Sequence, residues 1–240
     1  MKYEIREVKN GILQVTTTDE RWYIREKTDG TKEFVPSVTW ICDHYPKGIG
    51  FYKWLANKGW DEAEALKEAA ADKGSKVHQA IALLLDGMTI KYDTTLSNPD
   101  TKELETITLQ EYAAVMSFVD WYKEAKPKIL DKEFAVWGDG YAGTVDMLCE
   151  IGEKTYIVDF KTSQSIWPSH ELQVSAYKHA IGKDCALAIL QLGYRLNKKK
   201  YKFTELEDKY TEFLAAKTIW ANETKGVMPL QKDYPLSLQL

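Results

Sequence analysis

Short apolar and β-branched runs separated by glycine turns occupy the region from Lys132 to Lys161, a pattern typical of strands. Gly152 suits the first central position of a two-residue type II′ turn, which joins antiparallel neighbours. The region is therefore predicted to form a three-stranded antiparallel meander, with strands over residues 132–137, 144–151 and 154–161.

The spacing of apolar residues becomes helical on either side of this meander. Gly59 is predicted to end one helix, and Asp61 to cap a second over residues 62–85. Gly74 lies within that second segment. It either lowers the stability of the helix by about 1 kcal/mol relative to Ala or divides the segment into two helices. Residues 92–100 form a polar loop, and further helices are predicted over residues 102–126, 168–182 and 205–224. The predicted apolar side of helix 102–126 consists of Tyr112, Val115, Met116, Val119 and Tyr122.

Short strands open the chain and flank its last helices. They are predicted over residues 12–16, 21–25 and 33–35, before a short helix capped by Ser37, and again over 185–192 and 201–204. This order predicts an α/β (α+β) fold, in which a central mixed sheet flanked by helices follows an N-terminal β-hairpin and a helical region. One domain is expected, with strands and a helical wall or arch over residues 1–130, the core sheet and helix over 131–204, and a C-terminal helix and tail over 205–240.

Composition narrows the class of protein. Of the 240 residues, 44% are apolar and 28% charged, which is ordinary for a globular protein. The net charge of −4 means that any contact with nucleic acid must come from a local patch. Three scattered cysteines support no disulfide framework, and a cytoplasmic location is expected. The charged first ten residues predict no signal peptide, and no apolar run is long enough to predict a membrane span.

The meander also carries the strongest chemical signal. With a two-residue turn at Gly152, Asp146 lies directly opposite Asp159, and Lys161 emerges on the same face of the sheet. Two facing carboxylates repel each other, so this pair beside an ammonium group indicates a divalent-cation site. The alternative is a surface ion pair between Lys161 and one aspartate, which would contribute little stability.

Several segments around these residues resemble one known family. They are G-T-V-D at 143–146, V-D-F-K-T-S at 158–163, Q-V-S-A-Y at 173–177, G-S-K-V-H at 74–78, Glu133 and P-S-V-T at 36–39. Together they resemble the RecB-like exonuclease branch of the PD-(D/E)XK nuclease superfamily, including the mitochondrial genome maintenance exonucleases and their phage and bacterial relatives. The resemblance implies a restriction-endonuclease-like core.

The same resemblance implies roles for individual residues. Asp146, Asp159, the Phe160 carbonyl and His78 are the implied ligands of Mg²⁺ or Mn²⁺. Lys161 is implied to orient or deprotonate the attacking water and to offset charge on the phosphate. Glu133 is implied to ligate the metal through a water molecule or to position one, and Gln173 and Tyr177 to act beside the site. All three are predicted catalytic residues, and a substrate-side role is the alternative for His78. The four-cysteine set of some members is absent, so no iron–sulfur cluster is expected.

Nucleic-acid contacts are predicted from basic and polar residues near these motifs: Lys76, Thr162, Ser163, Arg195, Lys198, Lys199 and Lys200. The basic turn Arg195 to Lys200 is alternatively only a solvated turn. Lys53 and Lys58 are also predicted to face DNA, from a helical wall over residues 49–87. Trp22, Trp40, Trp54 and Trp60 are predicted to pack in the core, with stacking on unpaired bases as the alternative.

The function expected from these residues is that of a divalent-metal-dependent exodeoxyribonuclease in recombination, repair or phage DNA metabolism. Its partners would be single-stranded DNA or a duplex end, and a recombination or single-strand-binding protein. Two alternatives remain open: a structure-selective or nicking endonuclease, and a catalytically inactive DNA-binding module.

Overall fold

The computed structural model describes residues 3–8, 11–17, 20–98, 103–225 and 239. The strands, numbered in chain order, are Tyr3–Val8 (β1), Ile12–Thr17 (β2), Arg21–Glu26 (β3), Lys32–Pro36 (β4), Thr95–Ser97 (β5), Leu104–Thr106 (β6), Lys128–Gly138 (β7), Tyr141–Ile151 (β8), Lys154–Lys161 (β9), Ala186–Leu192 (β10) and Tyr201–Leu206 (β11). The helices are Val38–Asp43 (α1), Ile49–Lys58 (α2), Trp60–Leu85 (α3), Leu109–Ala125 (α4), Pro168–Ile181 (α5) and Tyr210–Glu223 (α6).

A mixed five-stranded sheet forms the centre, in the order β11-β10-β9-β8-β7. β9 and β10 are parallel because α5 connects them as a crossover, and the other neighbours in this sheet are antiparallel. β1 to β4 form a separate antiparallel sheet, which extends the predicted hairpin, and β5 pairs with β6. The predicted α+β class with a mixed central sheet is therefore confirmed.

Helices cover both faces of the central sheet. On one face, Val77 of α3 and Phe118 of α4 belong to the same buried cluster as Val158 of β9. On the other face, the cluster joins Ile157 of β9 to residues of α1, α5 and α6. Adjacent strand residues enter opposite clusters because side chains alternate across a sheet. No helix among the described ranges is long and apolar enough to cross a bilayer.

The turn between β8 and β9 has the predicted geometry. Gly152 has a φ of +62°, and no positive φ occurs at Glu153, as a type II′ turn requires. The strand register runs from Ile151 opposite Lys154 to Met147 opposite Val158. The prediction for this hairpin is confirmed.

The helix predicted over residues 102–126 begins later, at Leu109. Thr108 and Glu111 form a capping box that starts the helix there, while Leu104–Thr106 pairs with Thr95–Ser97 as a strand. The predicted apolar side of the helix is also partly wrong. Met116 is 53% exposed and Phe118 is buried instead, because the face toward the sheet is rotated from the predicted one.

Two other helix starts differ from the prediction. α3 begins directly after Gly59, whose φ of +77° ends α2, so Asp61 lies in the first turn instead of capping the helix. α6 begins at Tyr210 and not at Glu205, because residues up to Leu206 continue β11 along β10. α5 follows the prediction, with Pro168 in its first turn and Gly182 in a left-handed C-cap.

Gly74 does not divide α3, and its substitution gives a stability prediction. A Cβ atom at Gly74 would meet only Thr162 Oγ1, at 3.8 Å, which is ordinary van der Waals contact. Gly74→Ala should therefore raise the free energy of unfolding by about 0.5–1 kcal/mol, measured by urea denaturation. Gly59→Ala is the control and should destabilise the protein, since the φ of +77° at Gly59 disfavours a side chain. A destabilised Gly74→Ala protein would contradict the prediction.

Candidate functional site

Three carboxylates lie in one row across three neighbouring strands. Glu133 and Asp146 lie between the paired residues Lys132↔Met147 and Phe134↔Val145 of β7 and β8. The β8–β9 pairing ends at Met147↔Val158, and one further step of its register would set Asp146 opposite Asp159. Like charges opposite one another destabilise a sheet, so this row needs compensating cations.

His78 supplies one such cation from α3. Its Nδ1 lies 3.3 Å from Asp146 Oδ1, and its Nε2 lies 3.0 Å from the Phe160 carbonyl oxygen. Asp146 Oδ2 also accepts a 2.7 Å hydrogen bond from the Phe160 amide. Burial alone would lower the pKa of His78, but the adjacent Asp146 carboxylate outweighs burial and raises it to about 9. In the same pair, burial raises the pKa of Asp146 while His78 lowers it, and the net direction is downward.

Lys161 is the second cation, and it neutralises Asp159. Lys161 Nζ lies 2.8 Å from Asp159 Oδ2, and only 1% of Asp159 is exposed. Burial raises the pKa of Asp159 to about 6, against the opposing effect of Lys161. Burial also acts to lower the pKa of Lys161, but Asp159 and Asp146 outweigh it and raise that pKa.

Gln173 of α5 connects this ion pair to Tyr177. Its Oε1 accepts a 3.2 Å hydrogen bond from Lys161, and its Nε2 donates to Asp159 Oδ1 at 3.1 Å and to the Tyr177 hydroxyl at 2.8 Å. The two ends of the amide thus face partners of opposite charge, which determines the orientation of the amide. The predicted pair at i and i+4 lies on one face of α5, beside the carboxylates.

Glu133 occupies an unusual backbone conformation at its end of the row. Its φ is +45°, which non-glycine residues seldom adopt. Arg6 of β1 binds it, with Arg6 Nη2 lying 3.0 Å from Glu133 Oε2. Burial, followed by the charge of Asp146, raises the pKa of Glu133. Ligand atoms of His78, Glu133 and Asp146 all lie within 4.8 Å of one another.

Tyr177 fits against β8 only because residue 143 is a glycine. A Cβ atom at Gly143 would lie 2.4 Å from Tyr177 Cε1, well inside van der Waals contact. Tyr177 is 3% exposed. The glycine of the G-T-V-D segment therefore has a packing role that places Tyr177 and Gln173.

A cleft of about 590 Å³ opens onto this cluster. Asp146, His78, Glu133, Gln173 and Tyr177 line it, whereas Asp159 and Lys161 are not in its lining. Another wall comes from β1, β2, β3 and the start of α1, and it includes residues that the sequence did not predict as functional: Arg6, Gln14, Arg21, Tyr23 and Thr39. Thr144 of β8 also lines the cleft. The alternation of side chains along a strand does not indicate which face of the N-terminal sheet packs against the central sheet. In the sequence, only the P-S-V-T segment, which contains Thr39, indicated that this part of the chain belongs to the site.

Lys76 does not join the predicted nucleic-acid contacts. Its side chain is only 7% exposed and forms an ion pair with Glu105, and Glu111 Oε1 lies 3.9 Å from its ammonium group. Lys76 contacts Glu105 and Glu111 and does not line the cleft, so the structure does not bring it together with the other predicted site residues.

The remaining basic residues lie near the end of β9 that carries Lys161. Ser163 accepts a hydrogen bond from Gln191 through its carbonyl, and the Arg195 amide donates to Gln164 at 2.8 Å. These bonds tie the basic turn to the segment that follows Lys161. Arg195, Lys198 and Lys200 are exposed there. Lys199 forms an ion pair with Glu124, and Thr162 lies beside Gly74.

The four predicted tryptophans differ in burial. Trp22, Trp40 and Trp220 pack edge to face, with ring centroids 5.2 to 6.2 Å apart. Trp22 is buried, as predicted for a core residue, and Trp40 is half-buried. Trp54 is half-buried in α2, and Trp60 is 69% exposed at the start of α3. Residues 49–75, which include Lys53 and Lys58, contain Ala63 as their one buried residue, so this segment is largely solvent-exposed.

The donor set fits a hard divalent cation. Asp146, Glu133, Asp159 and the Phe160 carbonyl offer oxygen ligands, which Mg²⁺ and Mn²⁺ prefer. His78 would add a nitrogen ligand only after losing a proton, because an imidazolium has no free lone pair. Asp159 Oδ2 is buried and accepts no hydrogen bond of good geometry from the described residues, although it faces Lys161. That oxygen could therefore coordinate a bound cation.

Comparisons with known proteins add little to this picture. No family model matches the sequence, and no curated protein matches it. Among solved structures, the chain is similar to the crystal structure of SSO0001, at 12% identity and a TM-score of 0.31. That match covers 50% of this chain and 61% of the other. A likeness at this level carries no argument about fold or function.

Proposed function

We propose that this protein is a divalent-metal-dependent nuclease that hydrolyses phosphodiester bonds of DNA from strand ends, in recombination, repair or phage DNA metabolism. The observation that carries the proposal is the row of Glu133, Asp146 and Asp159, flanked by the cations of His78 and Lys161 beside a cleft. The resemblance of the same residues to RecB-like nucleases supports it.

The protein's own groups suit phosphodiester hydrolysis. Lys161 donates to Gln173 and contacts Asp159, and its remaining N–H can hold a water molecule or a phosphate oxygen. Gln173 Oε1 and Asp159 together fix the position of the ammonium group. A cation bound by Asp146, Asp159, Glu133 and the Phe160 carbonyl, and by His78 once it has lost a proton, would supply charge for the phosphate and lower the pKa of water.

The test uses linear DNA labelled at its 5′ or 3′ end, in single- and double-stranded forms, with closed-circular DNA of the same sequence. We expect nucleotide release from the linear forms with Mg²⁺ or Mn²⁺, none with EDTA, and no cutting of the circle. The end label released first gives the polarity.

Two other results would each favour a different function. Equal cutting of circular and linear DNA would replace the exonuclease with an endonuclease. DNA binding without hydrolysis under any of these metals would favour an inactive binding module and contradict the proposal.

A further inference from the structure

Arg21 differs from the other arginines of the N-terminal sheet. Arg6 pairs with Glu133, and Arg25 lies 2.7 Å from Glu33 and stacks over Trp137 at 4.2 Å. Arg21 has no carboxylate partner within the described part of the chain. Its one side-chain hydrogen bond is a long one of 3.4 Å to Thr39 Oγ1. A guanidinium group has several donors in a planar fork, so most of the hydrogen-bonding capacity of Arg21 is unused.

The wall that carries Arg21 is held in a defined position relative to the carboxylate row. Tyr23, two residues further along β3, shares a 2.8 Å hydrogen bond with Thr144 and accepts a 2.7 Å hydrogen bond from Gln14. The Ser37 amide donates to the Arg21 carbonyl at 2.8 Å, and Ser37 forms a bridge to Ala142 of β8. Both connections reach the strand that contains Asp146. Arg21 is therefore part of the site's construction and not a loose surface residue.

The side of Arg21 that faces the main cleft suits an anion. Arg21 and Thr39 line the main cleft and also a second hollow of about 220 Å³. The carboxylates of Glu20 and Asp43 also line that hollow and disfavour an anion there, so an anionic ligand of Arg21 would lie in the main cleft. The hydroxyls of Ser37 and Thr39, 3.0 Å apart, offer further hydrogen bonds beside it.

We propose that Arg21 and Thr39 form a phosphate-binding subsite for the substrate strand, separate from the phosphate that is hydrolysed. This inference rests on the proposed function for its choice of a nucleic-acid strand as the ligand. Arginine matches phosphate through paired hydrogen bonds, and phosphate contacts position a nucleic acid without reading its sequence. The subsite would hold the strand while its scissile phosphate faces Asp146.

The experiment measures binding separately from cleavage. A fluorescently labelled single-stranded oligonucleotide is titrated by anisotropy, with Ca²⁺ in place of Mg²⁺, against the wild type, Arg21→Gln, Arg21→Lys and Lys27→Gln. Lys27 is an exposed cation just after β3 and outside the cleft lining, so its variant removes the same charge elsewhere.

Arg21→Gln should weaken binding about 10- to 100-fold and reduce the slope of log affinity against log salt by about one. Arg21→Lys should fall between the wild type and Arg21→Gln, because lysine keeps the charge without the fork. Lys27→Gln should bind within about twofold of the wild type.

The outcomes separate this inference from the proposed function. Arg21-dependent binding by a protein that hydrolyses no DNA would support the subsite and overturn the nuclease. Hydrolysis by a protein whose Arg21→Gln variant binds like Lys27→Gln would overturn the subsite alone, as would a wild type that binds no oligonucleotide. If inorganic phosphate displaced the oligonucleotide at a similar concentration, the site would bind free phosphate, and the proposed subsite for a strand would also be overturned.

Discussion

Asp159→Asn should lower metal-dependent DNA hydrolysis by at least about 1,000-fold while leaving the protein folded. Asn keeps the shape of the side chain and an Oδ1 that accepts from Gln173, which lies 3.1 Å away. It removes the charge that would hold the cation, and Lys161 loses its closest carboxylate oxygen. Asp146→Asn should lower DNA hydrolysis similarly, since Asp146 is on the strand between those of Glu133 and Asp159.

A measurement of metal binding accompanies the rate measurement. Mn²⁺ should raise the unfolding temperature of the wild type, because a ligand of the native state stabilises it, and should do so much less for Asp159→Asn and Asp146→Asn. Glu153→Gln is the matched control, because Glu153 is an exposed acid at the opposite end of the same hairpin. A control that loses activity as the aspartate variants do, or aspartate variants with wild-type rates, would contradict the assigned site.

Gly143→Ala should destabilise the protein by about 1–3 kcal/mol, the usual effect of overpacking a core. The new Cβ would lie 2.4 Å from Tyr177 Cε1, and the ring must move. Tyr177 accepts from Gln173, and Gln173 holds Lys161 and Asp159. The displacement should therefore also reduce DNA hydrolysis, although residue 143 itself carries no functional group.

A double-mutant cycle tests the stated cause of this destabilisation. In a Tyr177→Leu background, which lacks the ring atom in question, Gly143→Ala should cost much less in free energy of unfolding, giving a coupling of about 1 kcal/mol or more. Gly74→Ala is the matched substitution, since its Cβ meets only Thr162 at 3.8 Å. Equal costs of Gly143→Ala in both backgrounds would show that Tyr177 is not the obstacle.

The sequence alone determined the hairpin of β8 and β9, whose observed pairing ends one residue before Asp146 and Asp159. Turn chemistry at Gly152 sets the strand register, and the alternation of side chains then places Asp146, Asp159 and Lys161. Helix boundaries with local signals, such as Ser37, Pro168 and Gly182, were predictable for the same reason. Each of these features depends on residues close together in the chain.

The tertiary structure decided which distant segments meet the carboxylates. His78 was expected near them from family resemblance and not from spacing. The ion pair of Arg6 with Glu133, the burial of Lys76 against Glu105, and the cleft wall that carries Arg21 had no local signal. These contacts depend on which faces of separate sheets and helices pack together. Periodicity indicates that a segment has a buried face but does not specify the segment that covers it.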